Sequence, residues 1–198
     1  KKYTLNLTLG KDELTLNTLS VSNWIEEIVA GLNAKHIPYV TFTAESEQTF
    51  NMYCNDFSLG ENEYFEYSVG GGEWVRFTAI VTDIKFGGSH GNLRLRGKSS
   101  KGTALYTDYS YEYSEIRFTT KNSPVDCTGD IRTLIDYENY ANANTTNARF
   151  CKLFLGNTEL RTAPALPAKT LAEFCYNAMF SGCTALTTAP QLLVGELV

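Results

Sequence analysis

The amino-acid sequence predicts a mainly β fold with some α structure: a small antiparallel β-sandwich followed by the start of an α/β solenoid. Three observations lead to this fold class. Short segments of alternating polar and apolar residues dominate residues 38–122, with glycine or polar turns between them. Helical spacing of apolar residues is confined to a short stretch before Pro38 and to the region after Pro124. Two C-terminal segments, 153–167 and 179–193, are near copies of each other.

Residues 1–37 predict an N-terminal domain made of a β-hairpin and a short helix. Apolar residues alternate with polar ones from Tyr3 to Leu9, which is typical of a half-buried strand. The turn residues Gly10–Asp12 then lead into a second strand. Asn23 stands three residues before Glu26, a pattern typical of a helix N-terminus.

Residues 38–122 predict the sandwich domain. Strand-like alternation occurs in the stretches YVTFTA, YFEYSV, EWVRF and YSYEYSEIRFTT. The stretch LRLR at 93–96 places two leucines on one face of a strand and two arginines on the other. Strands at this spacing, without intervening helices, are typical of an antiparallel sandwich.

The C-terminal repeat has a period of 26 residues. Sliding residues 154–172 forward by 26 gives nine identical positions out of nineteen, where ordinary composition gives about one. Periods between about 20 and 30 residues are typical of leucine-rich repeats, in which each unit is a short strand and a helical return. The sequence therefore predicts a leucine-rich-repeat segment over 123–198, with an entry cap at 130–140 and about two truncated repeats. Because a repeat needs neighbours on both sides, we expect the chain to be part of a longer array.

Several residues have predicted structural roles within these repeats. A T-x-x-E capping box at Thr170 and Glu173 predicts a helix that begins at Leu171. Asn157 and Cys183 occupy equivalent turn positions, where leucine-rich repeats use Asn or Cys. The leucines expected to point inward on the strand side are Leu160, Leu166, Leu186 and Leu192.

The composition argues against several functional classes. A net charge of −5, with no run of Lys or Arg longer than two, disfavours nucleic-acid binding. No apolar stretch approaches the roughly 20 residues of a membrane-spanning helix, so we expect no transmembrane segment in this chain. Two histidines and five cysteines without a C-x-x-C pair predict no metal site, and we expect no cofactor. The thiols are expected to be inert core groups, with a disulfide left open as the alternative.

Three tyrosines form the candidate ligand-binding set: Tyr109, Tyr111 and Tyr113. In one continuous strand they share a face, opposite Ile116 and Phe118. An exposed row of tyrosines suits a sugar or a protein partner. The alternatives are a bulge that turns the rings inward, or simple cross-strand aromatic pairing.

The sequence predicts no catalytic residue. No G-x-S-x-G or H-E-x-x-H motif and no Cys/His pairing is present. Glu61 and Glu63 lie in a predicted turn, where solvated carboxylates are the expected state. The glycine-rich segment 87–92 lacks the spacing of a phosphate-binding loop. We therefore expect a non-enzymatic protein.

The stretch FCKLFLGNTELRTAPALPAKTLAEFCYNAMFSGCTALTTAPQL at 150–192 resembles the BspA-like leucine-rich-repeat surface proteins of anaerobic gut and oral bacteria. The preceding stretches FGGSHGNLRLRGKSS and CTGDIRTLIDYENY are similar to segments that lead into such arrays. The N-terminal KKYTLNLTLGKDELTLNTLSVSNW is, less specifically, similar to the closing strands of fimbrillin-like (Mfa-like) domains. These resemblances imply an exported protein of the bacterial cell surface or outer membrane, lipid-anchored in its full-length form. The export signal is then expected outside this chain.

The leading functional hypothesis is a non-enzymatic cell-surface binding and adhesion module. It would present a leucine-rich-repeat surface to a host or microbial protein. One alternative is a fimbrillin-like pilus subunit that self-assembles through its N-terminal strands. Another is a carbohydrate-binding surface protein that uses the tyrosines. The sequence leaves open the ligand, the oligomeric state and the number of repeats in the parent protein.

Overall fold

A computed structural model describes residues 8–9, 12–13, 37–107, 110–192 and 196–197. The chain divides into two compact units, residues 1–36 and 37–198. In the first unit, strands β1 (Thr8–Leu9) and β2 (Asp12–Glu13) pair in antiparallel fashion. This pair flanks the predicted turn. The short helix predicted from Asn23 lies outside the described residues.

The second unit is mainly β. Its 3₁₀ turns are η1 (Gly88–His90), η2 (Ile131–Leu134) and η3 (Tyr140–Asn142). Its strands are β3 (Val40–Thr43), β4 (Gln48–Asn55), β5 (Tyr64–Val69), β6 (Val75–Phe77), β7 (Val81–Phe86), β8 (Leu93–Lys98), β9 (Ala104–Thr107), β10 (Ser110–Phe118), β11 (Asp126–Thr128), β12 (Thr170–Leu171) and β13 (Glu196–Leu197).

Strands β3–β11 form two antiparallel sheets. One has the order β7-β4-β10-β9 and the other the order β11-β3-β8-β5-β6. The sheets pack face to face through aromatic side chains. Phe42 of the five-stranded sheet lies 5.9 Å from Phe50 and 5.3 Å from Phe118 of the four-stranded sheet, between ring centroids. All three rings are buried, so the predicted β-sandwich architecture is present.

The chain after the sandwich forms two coils that lie side by side. We call residues 150–171 the first coil and residues 175–192 the second coil. On one side, the amides of Phe150, Lys152, Phe154 and Gly156 donate to the carbonyls of Cys175, Asn177, Met179 and Ser181, over 2.7–3.0 Å. We call this the turn side.

On the other side, which we call the strand side, Leu166 bridges to Leu192 in parallel. Strand β12 likewise pairs in parallel with β13. Paired residues on the two sides are therefore 25 or 26 positions apart, as the sequence repeat requires. The ring pairs Phe154/Phe180 and Phe150/Tyr176 stack at 5.6 and 6.2 Å between centroids.

The α-helix predicted from Leu171 is wrong. Leu171 lies in β12, residues 173–182 form consecutive turns, and no described residue is in an α-helix. Within this run, Phe174 and Ala178 have positive φ angles of 59° and 50°, which no right-handed helix accommodates. The carbonyls that an α-helix would use internally, such as that of Cys175, accept hydrogen bonds from the first coil instead. The neighbouring coil thus overrides the local helix signal.

Each sheet of the sandwich continues into one side of the first coil. Strand β9 pairs only with the first part of β10. Further along β10, the turn side of the first coil pairs with it instead, and the amide of Ile116 donates to the carbonyl of Leu153 over 2.7 Å. At the edge of the other sheet, Val125 bridges to Leu160 and Asp130 bridges to Ala165 in parallel. The sandwich therefore covers the face of the first coil that lies opposite the second coil.

One hydrophobic core fills both parts of the second unit. It extends from Val40 in the sandwich to Cys183 in the second coil, and Phe42 contacts Phe154 across the junction at 6.2 Å. The predicted boundary between 122 and 123 therefore marks a change of sequence pattern within one continuous core. The predicted domain limits stay predictions.

Candidate binding surfaces

Two of the three predicted tyrosines form a half-buried aromatic patch on β10. Tyr111 lies opposite Tyr106 of β9, with 4.9 Å between ring centroids, and 5.9 Å from Phe174 of the turn run. The Lys152 ammonium lies 4.5 Å from the ring of Tyr113 and 5.1 Å from that of Tyr111. The cross-strand pairing that was the alternative interpretation is thus present. Tyr109 lies outside the described residues.

The environment of these tyrosines keeps them neutral. Burial raises the pKa of both Tyr111 and Tyr113, so each phenol keeps its proton at physiological pH. Ile116 and Phe118, on the opposite face of β10, are buried in the core. The patch therefore faces outward, but its rings are occupied by one another and by the first coil.

Asn157 and Cys183, the equivalent turn positions, bond the layer before them in the same manner. The buried Asn157 amide donates to the carbonyl of Ile116 and accepts from the Phe118 amide over 2.9 Å. The Cys183 thiol donates to the carbonyl of Phe154 over 3.0 Å. Each side chain thus ties its coil to the preceding layer, and Cys183 does so with a single weak donor.

The four predicted leucines differ in burial. Leu160 and Leu166 in the first coil are buried. In the second coil, Leu186 is half-buried and Leu192 is 51% exposed. Leu192 therefore does not point into a closed core as expected. Its backbone is bridged in parallel to that of Leu166.

The five cysteines are free thiols. Burial raises the pKa of Cys127 well above its usual value, that of Cys151 to about 11 and that of Cys175 to about 12. Burial also raises the pKa of Cys183. A thiol that keeps its proton is a poor nucleophile, so these four groups have the character of core residues.

Glu63 and His90 have structural partners. The Glu63 carboxylate accepts from the amides of Gly60 and Ser100 and from the Ser100 hydroxyl, at 2.6–2.8 Å. Burial opposes the charged form, but these hydrogen bonds outweigh it and lower the pKa of Glu63. Glu63 is therefore an ionised carboxylate that stabilises the turn at Gly60 and links it to Ser100. His90, at the glycine-rich loop, lies 3.0 Å from Glu47 at the surface.

No group of three or more His, Cys, Asp or Glu residues in the described ranges is arranged to hold a metal ion. None of the described helices is long and apolar enough to cross a membrane. A groove of about 670 Å³ lies between the sandwich and the turns after η3, and a groove of about 500 Å³ crosses the strand side near Pro164 and Pro190.

The outer face of the five-stranded sheet carries a second aromatic cluster, which we call the arginine–aromatic face. Arg96 lies between Trp74 and Tyr137, with its guanidinium carbon 4.0 Å from each ring centroid. Its guanidinium also forms an ion pair of 2.7 Å with Glu66, whose side chain is 7% exposed. The members of this face are Tyr39, Glu66, Trp74, Arg76, Arg94, Arg96 and Tyr137.

In this cluster the Arg96 guanidinium is kept charged and the Tyr137 phenol is kept neutral. Burial opposes the charge on Arg96, but hydrogen bonds to Glu66 and Tyr39 outweigh it and raise the pKa of Arg96. Burial and a hydrogen bond with Tyr64 raise the pKa of Tyr137 to about 12, so its phenol stays neutral. Sequence reasoning placed two arginines on one face of β8 but assigned them no role. The signal that would have found this face is a row of arginines opposite nearby aromatic residues.

Comparisons with known proteins provide no identification. No protein-family model, no curated protein and no solved structure matches this chain. The resemblance to BspA-like and fimbrillin-like proteins therefore remains a prediction from the sequence.

Proposed function

We propose that this chain is a non-enzymatic binding and adhesion module of a bacterial cell surface, and that its two coils are repeats of the leucine-rich-repeat type. The observation that supports this proposal best is the main-chain ladder between the coils. Its hydrogen bonds join residues 25 apart, the strand-side pairs are 26 apart as in the sequence repeat, and the equivalent rings of Phe154 and Phe180 stack. Layers repeated in this way are the principle by which solenoid proteins build extended surfaces.

The strand side exposes polar and small side chains in both coils. Arg161, Thr162 and Ala165 are exposed in the first coil, and Thr187, Thr188 and Gln191 are exposed in the second. This surface continues onto β11, where Asp126 pairs with Arg161. A wide, shallow and regular surface suits a macromolecular partner better than a small substrate, so we assign it a protein partner.

Export, lipid anchoring and location at the outer membrane are part of the proposal and rest on the family resemblance alone. The pilus alternative concerns strands in residues 1–36, of which only β1 and β2 are described. The carbohydrate alternative through Tyr111 is less favoured, because that ring packs against Tyr106 and Phe174.

The proposal is tested by measuring adhesion of the fluorescently labelled chain to epithelial and bacterial cells. We expect saturable binding that is lost when the target cells are treated with protease. Thr188→Arg should weaken binding about tenfold or more, because it places a large cation in the strand-side surface. Thr82→Arg is the matched control, since Thr82 is also exposed but lies on β7 of the other sheet.

Two outcomes would overturn this assignment. Binding that survives protease treatment, is lost after periodate oxidation and is weakened by Thr188→Arg would replace the protein partner of the strand side with a glycan. Equal binding by both variants would move the site away from the strand side.

A further inference from the structure

The arginine–aromatic face holds more positive than negative charge. Two guanidinium groups, from Arg76 and Arg96, bind the single carboxylate of Glu66, and a third, from Arg94, lies beside Ser68 and Trp74. Glu66 accepts from Arg76 over 3.0 Å and from Arg96 over 2.7 Å, so its oxygens are already shared between two cations. The cluster therefore carries a formal surplus of two positive charges, in a chain whose net charge is −5.

Arg94 is the member of this cluster without an anionic partner. Its guanidinium donates to the Ser68 hydroxyl over 3.3 Å and lies 5.3 Å from the Trp74 ring. No ion pair joins Arg94 to any carboxylate in the described ranges. Lys98, the next cation along β8, is held by Asp136 and Glu138 and so adds no unpaired positive charge to the face.

The remaining donor capacity of these arginines is accessible. Arg94 is half-buried at the surface, and the Arg76 side chain is 58% exposed. A half-buried guanidinium with unused donors binds a carboxylate strongly, because two parallel charge-assisted hydrogen bonds form in a partly desolvated setting.

The aromatic members add a second recognition element. Trp74 is half-buried, and its ring lies beside Arg94 and Arg96 and contacts Tyr39 edge-to-face at 4.9 Å. Tyr39 and Trp74 lie just before β3 and β6, and these side chains are held in place by contacts with one another. Flat aromatic and polar surfaces match the apolar face and the hydroxyl rim of a sugar ring.

We propose that the arginine–aromatic face binds acidic glycans, with Arg94 receiving the carboxylate of a uronic or sialic acid and Trp74 contacting the sugar ring. The site lies on the sheet of the sandwich and is separate from the strand-side surface proposed for a protein partner. Its failure would leave that proposal unchanged.

The test is isothermal titration calorimetry of the whole chain with trigalacturonate and with 3′-sialyllactose. The neutral sugars maltotriose and lactose serve as ligand controls. We expect binding of at least one acidic sugar and none of the neutral sugars. Arg94→Ala should weaken that binding about tenfold or more, which is the loss expected when a charge-assisted bidentate contact is removed.

Matched variants separate a specific site from general charge effects. Lys121→Ala removes the same charge from an exposed position near Thr158 and should change affinity less than about twofold. Arg94→Lys keeps the charge but loses the planar donor pair, so its affinity should fall between those of wild type and Arg94→Ala. Circular dichroism and thermal unfolding establish that each variant is folded.

Three results would overturn the proposal. The first is the absence of binding by either acidic sugar to the wild-type chain. The second is an equal loss in Lys121→Ala and Arg94→Ala. The third is binding of hexaglutamate as tight as that of the acidic sugars, which would make the face a site for acidic peptides. If Arg94→Ala does not fold, Arg76→Ala, at a more exposed position, replaces it with the same expected direction.

Discussion

The two coils carry nearly the same sequence, yet they differ in how much of each repeat is buried. Phe154 and Leu166 in the first coil are buried, whereas the equivalent Phe180 is half-buried and Leu192 is exposed. The first coil has the sandwich on one side and the second coil on the other. This difference shows that the layers on either side of a coil determine how much of it is buried. Identical residues in the two coils therefore stabilise the fold to different degrees.

The largest difference is expected for the stacked phenylalanines. Phe154→Ala should lower the free energy of unfolding by about 3–5 kcal/mol, because it opens a cavity at the junction of sandwich and coils. Phe180→Ala should cost about 1–2 kcal/mol, because its ring is partly in solvent already. Urea unfolding of both variants measures the two values. Equal losses would contradict the comparison.

The bridged leucines provide a second test. Leu166→Ala should cost about 2–5 kcal/mol. Leu192→Ala removes a side chain that is 51% exposed and should cost about 0.5 kcal/mol. The measurement is again denaturant unfolding, with unchanged m-values as the control for a common unfolded state. A larger loss of unfolding free energy in Leu192→Ala than in Leu166→Ala would contradict this prediction.

The turn positions should differ less. Asn157→Ala leaves the amide of Phe118 and the carbonyl of Ile116 unpaired in a buried setting, at an expected cost of about 2–3 kcal/mol. Cys183→Ala removes one weak thiol donor and should cost about 1 kcal/mol. Thermal unfolding monitored by circular dichroism compares them. The prediction fails if Cys183→Ala is the more destabilising variant.

The smallest effect concerns the ion pair that joins β11 to the first coil. Arg161 donates to Asp126 over 2.8 Å, and the equivalent position in the second coil is Thr187, which has no charge. Both partners are partly exposed and screened by solvent, so Arg161→Ala should destabilise the chain at pH 7 less than any of the variants above, as measured by urea unfolding.

This contribution should depend on pH. The hydrogen bond with Arg161 lowers the pKa of Asp126 in the folded chain. The stabilisation is therefore complete above the unfolded pKa of about 3.9 and is lost as the pH falls through the lower folded value. Stability curves of wild type and Arg161→Ala should converge in acid. A gap that persists at the lowest pH would show a packing role for Arg161 instead.

The alternating strands were predictable because one face of each is polar and the other apolar. This holds for β5 and β8, and the 26-residue repeat likewise predicted the spacing of the two coils. Strand β4 shows no such alternation, because buried polar side chains occupy it. Gln48, for example, donates to the carbonyls of Thr120 and Ser123. The partners lie more than 70 residues away, so local sequence does not reveal them.

The binding surfaces were predictable only in part. The row of tyrosines on β10 was visible from its period, but its contact with Phe174 depends on a turn run that the capping-box pattern assigned to a helix. The arginine–aromatic face depends on β8 lying beside β5 and below Trp74, which is a matter of sheet order. Patterns within one strand do not determine which strands become neighbours.

The way the sandwich meets the first coil has a consequence for engineering molecules of defined length. Since the first coil bonds the sandwich on one side and the second coil on the other, a further 26-residue copy inserted in register should dock on the second coil as that coil docks on the first. Every copy would lengthen the molecule by about 4.8 Å, the separation of hydrogen-bonded strands. The number of inserted copies would then determine the length of the molecule.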